Sequence, residues 1–119
     1  MKRLHLLIVM GDQRGVQQLL QATPELIHLS DRYDRQALYY AIAFQRREIC
    51  RLLLTYHPDL DHEDQFGLST VDYAIYYDHQ YQTQFSEMMK IDNEYKEHWE
   101  KKWNAVYETM SYTLHHQRE

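Results

Sequence analysis

The residues most able to do chemistry are one cysteine, eight histidines and eighteen carboxylates in a chain of 119 residues. Cys50 sits where a helical pattern wants a buried apolar residue, and a buried thiol behaves as a small hydrophobe rather than a nucleophile. The histidines lack metal-ligand spacing. His57 and His62 flank Pro58, His115 and His116 are adjacent, and no cysteine pair accompanies either set. Asp61-His62-Glu63-Asp64 is an acidic cluster without the glycine and ligand spacing of a calcium loop. No phosphate-cradling glycine loop, nucleophile elbow or paired-carboxylate motif occurs. The expectation is a non-enzyme with no metal and no cofactor. What remains chemically distinctive is aromatic: eleven tyrosines, three phenylalanines and two tryptophans. Tyrosine offers a large rigid face and a polar tip, which suits binding surfaces.

The elements that position these residues are helical. Three glycines and two prolines leave few turn signals. A hydrophobic fraction of 44% and a charged fraction of 26% are ordinary for a folded globular chain. The length fits one domain over residues 1–119. A single cysteine excludes an internal disulfide and fits a reducing compartment, so the expected location is the cytoplasm. Met1-Lys2-Arg3 followed by Leu4–Met10 imitates a short signal peptide. Gly11-Asp12-Gln13-Arg14 ends that apolar run and no small-residue cleavage site follows, so it reads as a first helix. No run approaches the roughly 18 apolar residues of a membrane span.

Charge divides along the chain. Residues 1–60 carry 8 basic and 6 acidic side chains, and residues 61–119 carry 5 basic and 12 acidic, for net values of +2 and −7. The acidic half argues against nucleic-acid binding, which needs a basic footprint. It suits a basic protein partner.

The chain repeats. A slide of 34 places Leu4 on Leu38, Ile8 on Ile42, Val16 on Cys50, Leu20 on Leu54 and Pro24 on Pro58 without a gap. A slide of 33 places Asp31 on Asp64, Leu38 on Val71, Ala41 on Ala74 and Ile42 on Ile75. Each unit reads as two short helices and a turn. The second helices are amphipathic, with Val16, Leu19 and Leu20 in one unit and Ile49, Cys50, Leu53 and Leu54 in the next. Pro24 and Pro58 stop them. One such hairpin cannot bury its own apolar stripe, whereas a stack of hairpins can.

These residues resemble the ankyrin repeat family over about residues 4–90. Asp64-Gln65-Phe66-Gly67-Leu68-Ser69-Thr70 and Ala74 follow the family's turn and first helix. Ala37-Leu38, Ala41-Ile42, Ile49-Cys50, Leu53-Leu54 and Pro58-Asp59 follow its second unit. Leu4-His5, Gly11, Val16 and Leu19-Leu20 follow the first. The resemblance implies repeats at 4–30, 31–63 and 64–91. It also implies that His5 makes turn-stabilising hydrogen bonds. Three departures stand out. Gln36-Ala37 and Ser69-Thr70 replace the usual Thr-Pro pair, weakening helix-start chemistry. Asp34 replaces a turn glycine, and an aspartate can occupy the left-handed region, though less freely than glycine. The third unit's second helix, about residues 80–90, offers Tyr81, Phe85, Met88 and Met89 in place of paired leucines.

Residues 92–117 lie outside the repeat and read as one helix, with Asp92 as N-cap. Tyr95, Trp99, Trp103, Val106, Met110 and Leu114 form its stripe, widened by Tyr107, with Lys96, Glu97, Glu100, Lys101, Lys102 and Glu108 opposite. It either caps the open end of the stack or presents Trp99 and Trp103 as a second interface, including a homodimer seam. Folding back to cover the concave face is a further arrangement.

The expected fold is all-α: a short ankyrin-like stack closed by a long C-terminal helix. In that family, partners meet the turn tips and the exposed side of each first helix. Residue by residue, this implies protein-binding positions Arg32, Tyr33, Arg35, Tyr40, Ala43 and Phe44 in unit two. In unit three it implies Gln65, Phe66, Leu68, Tyr73, Tyr76 and Tyr77, and in unit one Leu6, Val9 and Met10. Tyr40, Phe66, Tyr73 and Tyr77 would bury on a partner, oriented by Arg32 and Arg35. The functional expectation is a protein-protein interaction module. Its alternatives are an immunity or antitoxin-type inhibitor and a homodimerising module.

Overall fold

The computed structural model describes the backbone of residues 1–116 and the side chains of these residues other than Met110 and 112–116. The side chains of the expected stripe positions Met110 and Leu114, and the expected helix end at residue 117, therefore lie outside what is described. The described residues form seven α-helices: α1 (Arg3–Val9), α2 (Gln13–Ala22), α3 (Ala37–Ala43), α4 (Arg47–Leu54), α5 (Thr70–Tyr81), α6 (Phe85–Met88) and α7 (Asn93–His116). A 3-10 turn, Pro24–His28, follows α2. No helix is long and apolar enough to cross a membrane among the described residues.

Helices α1–α2 and α3–α4 are paired by the same turn. Gly11 and Gln45, which the first slide superimposes, both take positive φ, 75° and 57°. The Gly11 N–H donates to the Ile8 carbonyl at 2.9 Å and the Gln45 N–H to Ile42 at 3.0 Å. Next in line, the Asp12 N–H donates to Leu7 and the Arg46 N–H to Ala41. Such left-handed closures satisfy helix-end carbonyls, and glycine enters them without Cβ strain. Arg46 then reaches back and donates from Nη2 to the Val9 carbonyl, tying the second turn to the first.

The pairs stack through their first helices. α1 packs on α3, α3 on α5, and α2 on α4. Most residues matched by the repeat are contact residues, although Leu54 and Val71, the matches of Leu20 and Leu38, are half-buried. Leu4, Ile8, Leu38, Ile42, Ala41, Ala74 and Ile75 are all buried, as are Val16, Leu20, Cys50 and Leu53. Alanine at positions 41 and 74 lets first helices approach closely. The principal extents are 39 × 39 × 22 Å. The short dimension is that of two helix layers, each about 10–12 Å across.

The third pair departs from the expectation. α5 has 12 residues where α1 and α3 have 7, so residues 80 and 81 belong to the first helix of the pair and not to the second. The left-handed exit falls at Gln82, φ 55°. Asp78, the counterpart of Gln45 under the slide that matches Asp31 to Asp64, continues the helix instead of ending it. Its carboxylate then accepts from the Thr83 hydroxyl (2.6 Å), the N–H groups of Phe85 (2.7 Å) and Ser86 (3.0 Å), and the Ser86 hydroxyl. That leaves a one-turn α6, whose Phe85 is 1% exposed. Helix-start chemistry also differs between units. Gln36 makes no side-chain cap, as expected. Ser69 caps α5 fully: its Oγ accepts from the Asp72 N–H, and Asp72 accepts the Ser69 N–H at 2.8 Å. The Ser69-Thr70 pair therefore strengthens this start rather than weakening it.

Candidate functional site

Two aspartates build the face. Asp31 accepts from the N–H of Tyr33 (2.8 Å), the N–H of Arg35 (3.0 Å) and the hydroxyl of Tyr40. Asp64 accepts from the N–H of Phe66 (2.9 Å), the N–H of Leu68 (3.1 Å) and the hydroxyl of Tyr73. The partners sit at the same offsets in both units: two, four and nine positions past the aspartate. At the third position past each aspartate stand Asp34 and Gly67, both with positive φ, 64° and 82°. Aspartate at position 34 thus occupies the left-handed region. The tips join where the Gln65 N–H donates to the Tyr33 carbonyl at 2.9 Å.

Burial pushes the Asp31 carboxyl up, but the Tyr40 hydroxyl and the N–H groups of Arg35 and Tyr33 more than offset this and hold it below its ordinary range. Burial and the aspartate partners push the Tyr40 and Tyr73 hydroxyls well up, so both remain neutral donors.

These locks correct three expected binding positions. Tyr40 is 9% exposed, Tyr73 4% and Leu68 1%. Tyr40 also stacks on buried His5 at 4.6 Å between ring centroids. The two tyrosine rings are walls of the face, held by carboxylates of their own units, and Leu68, whose N–H donates to Asp64, is buried beneath it. An aspartate nine positions before the tyrosine recurs in both units, but the spacing alone does not mark the lock: Asp72 stands nine before Tyr81, which is exposed.

Arg35 sits at the centre. Its Nε lies 3.2 Å from Asp64 and its Nη2 donates to the Tyr73 hydroxyl at 3.0 Å. Its guanidinium lies 4.4 Å from the Tyr39 ring centroid and 5.5–5.6 Å from those of Tyr33, Phe66 and Tyr73. Burial works against this charge, and Asp64 with the surrounding phenols more than offsets it, so the guanidinium is firmly charged. A cation enclosed by ring faces is a rigid clamp between units. Arg35 therefore organises the face.

Tyr39, absent from the expected positions, bridges the two units. It meets Tyr40 edge-on at 5.3 Å and Tyr73 at 4.8 Å. Beside it opens a groove of about 670 Å³, walled by Tyr33, Tyr39, Tyr40 and Phe44, with Lys2, Asp31, Arg32 and Arg35 around it. Phe44 is 44% exposed and Arg32 is exposed. Tyr33, Ala43, Phe66, Tyr76 and Tyr77 are half-buried, and Gln65 is exposed. In unit one, Leu6 and Met10 are exposed and Val9 is half-buried. Tyr77 stacks on exposed Tyr81 at 5.8 Å and extends the aromatic surface beyond the expected set.

Helix α7 lies on α5. Trp103 stacks on Tyr76 at 4.3 Å and meets Tyr73 edge-on at 5.5 Å, and Trp99 meets His79 at 5.5 Å. Trp99 is 7% and Trp103 6% exposed, so both are contacts within the chain and not free surface. Lys102, expected on the outward face, points inward. Its Nζ lies 2.9 Å from Asp72 and 3.3 Å from Glu63. Tyr95 donates its hydroxyl to the other oxygen of Asp72.

Cys50 is fully buried, and burial pushes its thiol up to about 12, where little thiolate forms. The His62 ring contacts the Asp34 carbonyl at 2.9 Å. No group of three or more His, Cys, Asp or Glu side chains could hold a metal ion among the described residues. No protein-family model matches the chain, and no curated protein matches it either.

Proposed function

We propose that the chain is a short ankyrin-like repeat stack that works as a non-catalytic protein-recognition module, and that its contact surface is the aromatic face of α3 and α5. The observation that carries this reading is the open groove beside Tyr39 and Phe44. Its wall is built by the Asp31 turn and by Arg35, which the Asp64 turn behind it holds through an ion pair, so hydrogen bonds within the chain already fix these side chains. Pre-organisation lowers the ordering cost of binding. Exposed aromatic area of this kind marks interaction surface. The regular repeat spacing, the matched helix turns and the stacked first helices support the ankyrin-like assignment. In this reading the tyrosines locked by aspartate hold the face, and Phe44, Phe66 and Tyr77 with Arg32 touch the partner.

The test is an affinity capture from the native cells with the tagged chain, set against a Phe44→Ala/Phe66→Ala/Tyr77→Ala variant shown by circular dichroism to be folded. A partner held by the parent and lost by the variant is the expected result. Equal capture by both would move the binding site off this face.

A further inference from the structure

The charge around the groove opposes the charge of the molecule. The chain carries −5, and 12 of its 18 carboxylates lie in residues 61–119. The groove is set in the other half. Five ionic groups stand in its wall or directly behind it: Lys2, Arg32 and Arg35 against Asp31 and Asp64. Their pairing is uneven. Asp64 is taken by Arg35, and Asp31 by two backbone N–H groups and the Tyr40 hydroxyl. Lys2 and Arg32 are both exposed, and neither forms an ion pair with a carboxylate among the described residues. Arg32 is held in place by its own neighbour. Its guanidinium lies 4.7 Å from the Tyr33 ring centroid, and Nη2 donates to the Tyr33 hydroxyl at 2.6 Å.

Three cationic side chains thus stand against two carboxylates, a net of +1, and an incoming acidic side chain meets Lys2 and Arg32, the two cations with no carboxylate partner among the described residues. Apolar or aromatic side chains beside it meet Tyr39 and Phe44. A basic segment would bring like charges together, which costs binding energy and slows encounter.

We propose that the groove takes an acidic segment of a protein partner, with its carboxylates toward Lys2 and Arg32 and an apolar or aromatic neighbour against Tyr39 and Phe44. This rests on the protein-recognition reading above and makes it specific. It also reverses the partner charge expected from the half-chain totals, because those totals average over surfaces that do not face the groove.

The experiment pans a phage-displayed random peptide library on the immobilised full chain. The selected peptides are then titrated against the parent, a Lys2→Glu/Arg32→Glu variant and Phe44→Ala, each checked for fold by circular dichroism. The expected result is enrichment of Asp or Glu next to aliphatic or aromatic residues. Affinity should fall by about tenfold or more in the charge-reversed variant and weaken with added NaCl. Peptides that require Phe44 but are neutral or basic, or are indifferent to the charge reversal, overturn the acidic occupant and leave the groove reading standing. Selected peptides indifferent to Phe44 overturn both. A labelled oligothymidine run in parallel should not bind. Binding that is lost on charge reversal would assign the groove to single-stranded nucleic acid instead.

Discussion

His5 shows how much one side chain can bring together. Its ring is fully buried, stacks on Tyr40 and contacts the Leu29 carbonyl at 3.1 Å through Nε2. That contact matches the turn-stabilising role expected for it. Burial lowers its basicity, only partly countered by the Leu29 carbonyl and the Asp31 charge. The unfolded chain therefore binds a proton here that the folded chain resists. The resulting stability is complete above the ordinary histidine value of about 6.5 and is lost as pH falls below it. Asp31 and Asp78, both held below the ordinary carboxylate range, add a second loss beginning at more acid pH. Thermal melting followed from neutral to strongly acid pH should fall in two stages. His5→Phe, which keeps a ring against Tyr40, should remove the first stage and leave the second. A first stage unchanged in that variant would locate the titrating group elsewhere.

At the scale of elements, the repeat is legible where small and apolar residues recur, and the departures have physical causes. Asp34 in the left-handed region and the Gly11–Gln45 correspondence follow from sliding the sequence on itself. The length of α5 does not, because one carboxylate at position 78 serves α6 as a multi-donor cap, a role set by residues that have no counterpart in the other units. Lys102 escapes a sequence reading for a similar reason. A charge beside the Trp99–Trp103 stripe reads as solvated unless a buried acid faces it, and that acid is Asp72, on a different helix and far back in the sequence. Asp72 closes the α5 cap and anchors α7 through Tyr95 and Lys102. Asp72→Ala removes a helix cap and strands the Ser69 N–H, a loss of about 2–4 kcal/mol in all. It should also loosen α7. Both tryptophans of the chain lie on α7, so their emission reports its docking alone. A red shift in the folded variant is expected, and an unchanged spectrum would show that ring stacking holds α7 without the carboxylate.

Across the whole molecule, the two ends differ. One end, beyond α5, carries α7, whose rings bury Tyr73 and Tyr76. Each buried tryptophan is worth several kcal/mol of apolar transfer. Removing residues 93–119 would expose that aromatic surface. The truncated chain should melt at lower temperature and elute in size-exclusion chromatography as larger, associating species. A truncated chain that stays monomeric and equally stable would show that α7 is dispensable to the stack. The proposed binding face is only half legible at this scale. Its aromatic content is visible in the sequence, but Tyr40, Tyr73 and Leu68 are framework. What decides this for the two tyrosines is the hydrogen-bond partner of each hydroxyl, not the residue type.

The matched aspartate turns give units two and three the same receiving side for a joint. Asp64 receives Arg35, and Tyr73 receives both Arg35 and Tyr39. Residues 31–63 carry their own aspartate and tyrosine at the same offsets, Asp31 and Tyr40. A second copy of 31–63 spliced in tandem after residue 63 would thus offer the preceding Arg35 a carboxylate and a phenol in register. A chain lengthened in this way is expected to fold with one more step in its stack between unchanged end pieces, which circular dichroism and solution scattering would check.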